Sequence, residues 1–578
     1  MGTALRGVPL AARTCARRLA APGRDTDPTV DVECDISWFG PARVAPDRAG
    51  SEAVVQALSG LMAVHGRDGG RPRRLGLEVA SVAAGMLAAQ AVIAARIGQQ
   101  RGHEASPPPT SVLQAALLLM SHYVAAATAG GDQVPTAPGP EPGPPFRTAD
   151  DRWFEIEVFD PEAWRRFWIE LGAEGVDLGR AWTSFRGRYY RGDCSFPVGL
   201  HQATRAHSLA HAAAAAEHCR VSLCPVRDYA EVRVEPGWSA GYPTVTPRSG
   251  QDSGAYRPRN PAQNGGPLAG LRVVEATNRM QGPLAGRLLQ WLGADVMKVE
   301  PPGGDPGRMV PPEAGETGSF FACFNSGKTS VELDLTTPAG RDGLMGVLAG
   351  ADVFLHNWRP GKATQWGLDT TDVARAHPRI VYVTASGWGD LPHNDRLIGT
   401  DFLVQAYAGV AHGIEPASAP PRPTRVLVTD FMGALVTCEG VLSGLYRRET
   451  TGAGVAVGTS LLQGALALQA HLFEGMESGS EEGRRDGRPV WGPLDEPLAT
   501  NDGYVVVTAD DLDPLLLERV RDRSAEEWEK LLTEAGVPCA AVATDLSTLP
   551  RQPALVHLYE PLGGTAMGPR SPWEAAGR

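Results

Sequence analysis

The sequence predicts an α/β fold: a doubly wound, Rossmann-like parallel sheet as a large domain, a small α+β domain beside it, and the two duplicated within one chain. Three observations predict it. Strand-like apolar runs alternate with helical runs between Gly270 and Gly387. Two stretches recur at a constant spacing of 349 residues. Segments rich in Pro and Gly interrupt the chain where one unit should give way to the next.

The alternation begins with "GLRVVEA" (Gly270–Ala276), which reads as a strand. "PLAGRLLQWLG" (Pro283–Gly293) follows as an amphipathic helix, with Pro near its start and Gly at its end. "ADVMKVEPP" is the next strand, which completes a βαβ unit, and "DVFLHNW" and "IVYVTASG" add two more. Strands that alternate with helices imply a parallel sheet, whose ligands bind beyond the carboxyl ends of the strands.

The repeat is carried by "GSEAVVQALSG" (Gly50–Gly60) against "GTDFLVQAYAG" (Gly399–Gly409), with five of eleven residues identical. "SVLQAALLLMSH" (Ser111–His122) against "SLLQGALALQAH" (Ser460–His471) gives seven of twelve at the same spacing. A shared offset over this distance indicates duplication, and its period is far too long for a solenoid. "DRWFEIEVF" and "DGYVVVTAD" continue the pairing as a strand after a turn, and the stretch that follows is about thirty residues shorter in the second copy. The expected organisation is an N-terminal arm (1–49), a degenerate, truncated copy (50–235), a linker (236–266), and a second copy (267–578) with a shortened small domain. Only the second copy is expected to carry an α/β front end. A further Pro-rich run, Val134–Pro145, divides the first copy.

Composition narrows the function. A net charge of −12 argues against nucleic acid, which needs clustered Lys and Arg. Eight scattered cysteines form no CxxC pair and no zinc spacing, so reduced core thiols, no metal and a cytoplasmic setting are expected. Residues 1–24 hold five arginines and no acid, which reads as an arm rather than a transit peptide. The apolar run Val112–Ala129 is broken by Gln114, Ser121, His122 and Thr128, so no membrane span is expected.

Two catalytic motifs are set aside on context. "ACFNSGKT" (Ala322–Thr329) fits a loose P-loop pattern, but no glycine precedes Gly327 and a strand rather than a helix follows Lys328. "GWSAG" (Gly237–Gly241) fits a serine-nucleophile pattern but sits among prolines, without the strand and helix it needs. What remains gathers at the strand ends of the second copy: Arg308 after "GGDPG", Lys328, Asn357 and Arg359 in "HNWRPG", and Gly387 and Trp388 in "SGWG". Cations, glycine turns and an indole at one sheet edge suit a phosphorylated, aromatic ligand. Asp430 is expected to follow a strand and to precede a long helix, so it reads as an N-cap that can also serve as a nucleophile. Its counterpart in the first copy is Ser81, which can cap but cannot form an anhydride.

Together these segments, from about 267 to 475, resemble the class III CoA-transferase family, which includes formyl-CoA and carnitine CoA-transferases. The first copy resembles the later part of the same fold more weakly. The resemblance implies an interlocked dimer fold, which the duplication would hold within one chain as a pseudo-dimer; a homodimer is the other arrangement. It implies an acyl-CoA thioester as donor and a carboxylic acid as acceptor, with no permanently bound cofactor. Asp430 falls on the family nucleophile, and Arg308, Lys328, Asn357 and the "SGWG" turn fall on CoA-contacting segments. The implied route passes through an aspartyl-CoA thioester, with backbone amides near Asp430 stabilising the oxyanions. The related racemases carry a His in a "GHD" segment, where this chain has Gly399-Thr400-Asp401. Acyl-CoA racemisation, or CoA binding without catalysis, are the alternatives. The chain departs from the family at Gln365, where an Arg is usual near CoA, and at Met280-Gln281, where the glutamine is displaced by one.

Overall fold

The computed structural model describes residues 5–20, 34–44, 48–130, 141–192, 194–233, 241–248, 265–391, 397–479, 484–509 and 517–573. The Gly237–Gly241 pentapeptide, Gly241 excepted, and most of the two Pro-rich linkers lie outside them.

The first copy opens with a short parallel sheet ordered β1 (Leu5–Gly7), β2 (Cys34–Ser37), β3 (Thr110–Ser111). Helix α1 (Pro9–Leu19) leads out of β1. Helices α2 (Glu52–Leu58) and α3 (Val79–Gln100) follow β2, and α1 packs on α3. This corrects the expectation of a separate arm and of a front end in the second copy alone. Strands of two to four residues carry no legible period. The trace that survives is "PLAAR" (Pro9–Arg13) against "PLAGR" (Pro283–Arg287), identical at four of five positions.

The first small domain is an antiparallel sheet of β4 (Phe146–Arg147), β5 (Trp153–Glu157) and β6 (Ser222–Pro225). The length absent from the second copy is here filled by α4 (Leu178–Arg191) and α5 (Val198–Arg205). An aromatic core that includes Trp164, Trp168, Phe146 and Phe185 holds the domain together.

The linker contributes β7 (Thr244–Pro247), and the second copy contributes β8 (Arg272–Ala276), β9 (Asp295–Glu300), β10 (Thr329–Glu332), β11 (Val353–His356), β12 (Val381–Ser386) and β13 (Val455–Ser460). Their order is β10-β9-β8-β11-β12-β13-β7. The six strands from the second copy are parallel, and β7 runs antiparallel along β13 at the edge. Counted within that copy, the order is the doubly wound one, which reverses direction between β8 and β11. Helices α6 (Gln281–Trp291), α7 (Ser319–Asn325), α8 (Asp401–Tyr407) and α9 (Val428–Thr451) flank it. Its small domain is the sheet β14 (Leu498–Ala499), β15 (Tyr504–Val507), β16 (Cys539–Ala541).

The copies are related bond by bond at the offset of 349. Glu52 accepts from the amides of Ala80 and Ser81 at 2.9 and 2.9 Å, and Asp401 from those of Thr429 and Asp430 at 2.7 and 2.8 Å. Gln56 and Gln405 each accept from one amide, of Leu75 and Thr424, at 2.9 and 2.9 Å. Gly60 and Gly409 both turn the chain with φ of 77° and 78°, a region open to glycine. Each small domain packs on the other copy: β5 and β6 touch α8, while β15 and β16 touch α2. The exchange is matched by hydrogen bonds from Arg227 N to Ala406 O at 3.0 Å and from Ala543 N to Ala57 O at 3.0 Å.

Helices α3 and α9 cross between the copies. Both are long and apolar enough to span a membrane, yet 100% and 94% of their apolar windows are buried, so core packing accounts for their composition.

Glu52 is buried and accepts from two amides and from the Ser81 hydroxyl at 2.6 Å. Glu52→Ala is therefore expected to cost about 2–4 kcal/mol, read as a lower denaturant midpoint, because it strands buried donors at the start of α3.

Candidate active site

Strand β8 ends at Ala276, and the chain turns through Asn278 and Arg279, the latter with φ of 64°. Asn357, just beyond β11, closes the gap between these strands. Its Nδ2 donates to Asn278 O at 2.8 Å, and its Oδ1 accepts from Asn278 N at 3.1 Å. The turn is thus fixed at the topological switch point, the expected ligand crevice of such a sheet.

A cavity of about 310 Å³ opens there. The second copy lines it with Arg279, Phe321, Gly399, Thr400, Asp401 and Asp430. The first copy closes it with Phe159, Arg186, Tyr189 and Tyr190. The exchanged small domain, with its extra helix α4, therefore forms one wall of a site whose other wall is the second copy.

Asp430 lies in the first turn of α9. Its amide, like that of Thr429, donates to Asp401 Oδ2, and Thr429 Oγ1 donates to the same oxygen at 2.8 Å. Gln405 Nε2 donates to the other Asp401 oxygen at 2.5 Å, and Asp401 is fully buried. Asp401 is thus occupied as the cap of α9, and the Asp430 side chain is left to face the cavity. Burial raises the pKa of Asp430, the neighbouring Asp401 charge raises it further, and Arg279 works in the opposite direction. Burial also raises Asp401, against the hydrogen bonds that favour its charged form.

The other predicted residues are distributed differently. Lys328 does not reach the cavity. Its side chain is buried, and its ammonium donates to Glu275 Oε1 at 2.8 Å, Pro283 O at 2.8 Å and Asn325 Oδ1 at 3.2 Å. With three donors and three acceptors it has none left for a phosphate, and burial pushes it down to about 8. Arg308 stands at the rim beside Gly307 but is held bidentately by Glu300, at 2.7 and 2.6 Å, over the Phe321 ring. Asn357 acts on the turn rather than facing the cavity. Arg359 is exposed beyond β11.

Gly387 and Trp388 act through the loop that ends at Asp401. A Cβ on Gly387 would lie 2.3 Å from Gly399 Cα, so glycine lets the two chains meet. Trp388 is buried and donates to Leu397 O at 3.1 Å. The first copy keeps this turn: Gly40 N donates to Ser37 Oγ at 2.9 Å, as Gly389 N does to Ser386 Oγ at 2.9 Å.

A first copy that completes the active-site wall is expected from the duplication, but sequence reasoning missed Arg279, Asp401 as the partner of Asp430, and which residues of the first copy build that wall. Arg279 carried a usable signal, because it lies in the turn after the first strand of the βαβ unit. Arg186 carried none, since no local pattern relates it to the second copy. Metal ligands were not expected. Among the described residues, three potential ligands come together at Glu170, His218 and Cys219, which do not line the cavity.

This fold and cavity define a two-copy protein whose site lies where the copies meet. The sequence profile of CoA-transferase family III matches residues 27–265 and again 268–513, and the chain belongs to that family. It is similar to an acetyl-CoA:oxalate CoA-transferase from Acetobacter aceti, 32% identical over 256 residues, which are 43% of this chain and 66% of that one. It is similar to a succinyl-CoA:glutarate CoA-transferase from Homo sapiens, 30% identical over 261 residues, 44% of this chain and 58% of that one. The chain thus spans less than two thirds of the length of these relatives. A solved structure of a CAIB/BAIF family protein from Brucella suis is 25% identical, with a TM-score of 0.48 over 54% of this chain and 92% of that one.

Two outcomes follow from the buried charges. Lys328→Met leaves Glu275 without its close partner and is expected to destabilise the fold by about 3–5 kcal/mol. Adding Glu275→Leu should restore part of the loss in the denaturation midpoint. Asp430 has a raised folded-state pKa, so protonation favours the folded chain, and stability falls as pH rises from the ordinary aspartate range through the raised value. Asp430→Asn is therefore expected to be more stable than the natural chain above that range, by about 1–3 kcal/mol. The difference should close below about pH 4, where the aspartate is protonated in both states; thermal melts across pH check this.

Proposed function

We propose that the protein transfers CoA from an acyl-CoA to a carboxylic acid, with Asp430 as the nucleophile. The observation that carries this reading is the Asp430 carboxyl itself. It faces the cavity at the start of a buried helix, its backbone is held by Asp401, and burial together with the Asp401 charge raises its proton affinity. Membership of CoA-transferase family III and the names of the relatives support it.

The steps balance without an added reagent. The Asp430 carboxylate attacks the thioester carbonyl, the C–S bond breaks, and CoA leaves as thiolate, giving a mixed anhydride. The thiolate attacks the aspartyl carbonyl, releases the donor acid as carboxylate and leaves an aspartyl-CoA thioester. The acceptor carboxylate attacks that thioester, forms a second anhydride and releases the thiolate again. Attack of the thiolate on the acceptor carbonyl gives the new acyl-CoA and regenerates the Asp430 carboxylate. Each step develops negative charge beside Asp430. The resemblance assigns its stabilisation to backbone amides near Asp430 and to the glycine turns, but the amides of Thr429 and Asp430 both donate to Asp401. Arg279, the cation that acts on Asp430, takes that role in this proposal.

The phosphates of CoA would lie along the crevice toward exposed Arg359. The first copy serves as an intramolecular partner, which makes the chain a pseudo-dimer. All eight cysteines are free and buried, which fits a reducing, cytoplasmic setting. Racemisation is disfavoured because Thr400 stands at the histidine position and no histidine is among the described residues lining the cavity.

Intact-mass analysis after brief exposure to a panel of acyl-CoAs tests the reading. A CoA-sized adduct, sensitive to hydroxylamine and missing in Asp430→Asn, is the expected result. Measurable CoA binding with no adduct from any thioester would overturn covalent transfer.

A further inference from the structure

The two walls of the cavity differ in kind. The second copy brings the reacting carboxyl. The first copy brings Phe159, Arg186, Tyr189 and Tyr190, of which the last three lie on α4, in the stretch that the second copy lacks. The charges around the cavity can be accounted for one by one. Asp305 pairs with Lys298 at 3.1 Å, Arg308 with Glu300, and Asp401 caps α9. One cation, Arg186, remains without a carboxylate partner among the described residues, while the other, Arg279, acts on Asp430. Their guanidinium carbons stack on the same Phe159 ring, at 4.8 and 4.5 Å. Nη1 of Arg186 is buried with no hydrogen-bond partner. Two like charges beside one apolar ring repel, and an unmet guanidinium donor is costly to bury. A bound anion relieves both.

The two arginines are not equivalent. Arg279 acts on the Asp430 carboxyl, whereas Arg186 is not among the charges that do so. Arg186 is therefore set apart from the reacting centre, yet in the same cavity. The anion it meets is a group on the substrate, not the CoA phosphates, which a pantetheine arm holds away from the thioester. We infer that Arg186 is a specificity-determining residue supplied by the first copy, and that it selects an acid with a second carboxylate. One carboxyl reacts at Asp430, and the other is held by the Arg186 guanidinium through charge-assisted hydrogen bonds. The degenerate copy thereby chooses the acid while the intact copy performs the chemistry. This inference rests on the proposed CoA transfer, but its test does not require turnover.

Calorimetric titration of the full-length protein with succinate, glutarate and adipate, against butyrate, pentanoate and hexanoate, gives the test. At least one dicarboxylate is expected to bind about tenfold or more tighter than the monocarboxylate of equal chain length. Arg186→Gln should reduce that preference by about 10–100-fold, the range for loss of a charged hydrogen bond. Monocarboxylate affinity and the melting temperature should hold, because Arg186 makes no ion pair among the described residues. Arg186→Lys should retain part of the preference, and Asp430→Asn should retain it fully while losing the covalent adduct. Equal binding of the two series by the natural chain overturns the inference. So does an Arg186→Gln variant that weakens CoA instead of the dicarboxylate. If the dicarboxylate preference appears but no thioester gives an adduct, the transfer reading fails and the acid-binding site stands.

Discussion

The structure turns on one interaction made twice, a buried carboxylate that caps the start of a long buried helix from the other side of a loop. Such a helix leaves amides that must find acceptors, and in a closed core no water can supply them. Asp401 meets this need for α9, and Glu52 meets it for α3. In both copies a glutamine one turn further on ties the same carboxylate to the loop before the long helix. The carboxylate therefore fixes the helix, the loop and the short helix that carries it as one unit. Where the next residue is Ser81 the unit is only structural. Where it is Asp430 the same unit holds a second carboxyl against the first, and burial with like charge raises its proton affinity.

Under the proposed function, the duplication divides two roles within one chain. The first copy keeps its capped helix and small domain, and among the described residues its parallel sheet has three short strands. The second copy keeps the sheet, the switch point and the Asp430 carboxyl, while no counterpart of α4 is found among the described residues of its small domain. Because each small domain packs on the opposite copy, what one lacks is placed against what the other retains. Arg186 and the two tyrosines of α4 consequently line one cavity with Asp430, although nothing in the first copy alone would require them to.

Beneath the cavity, a buried charge network fixes the end of the sheet. Glu275 on β8 lies beside Lys298 on β9 and is paired with Lys328, which enters β10. Lys298 reaches in turn to Asp305, and Glu300 to Arg308. Residues that suggest a phosphate site by composition are thus largely engaged with one another. They hold the three strands on one side of the switch point in fixed relation, which in turn holds the turn at Arg279.

The class of fold, the repeat and the place of Asp430 at the head of a long helix were legible in the sequence by itself, because each is a local pattern. Alternation of strand and helix, a constant offset, and an acid at the head of an apolar helix need no knowledge of what lies nearby. The sequence also brought out the right strand ends, since chain direction decides which loops share an edge of a parallel sheet. Only the tertiary structure decided which side chains meet. Lys328 looked free because Glu275 is two strands away in the sheet order. Asp401 became the partner of Asp430 only when α8 and α9 were brought end to end. Arg186 entered the site only through the exchange of small domains, a contact between copies that no periodicity records.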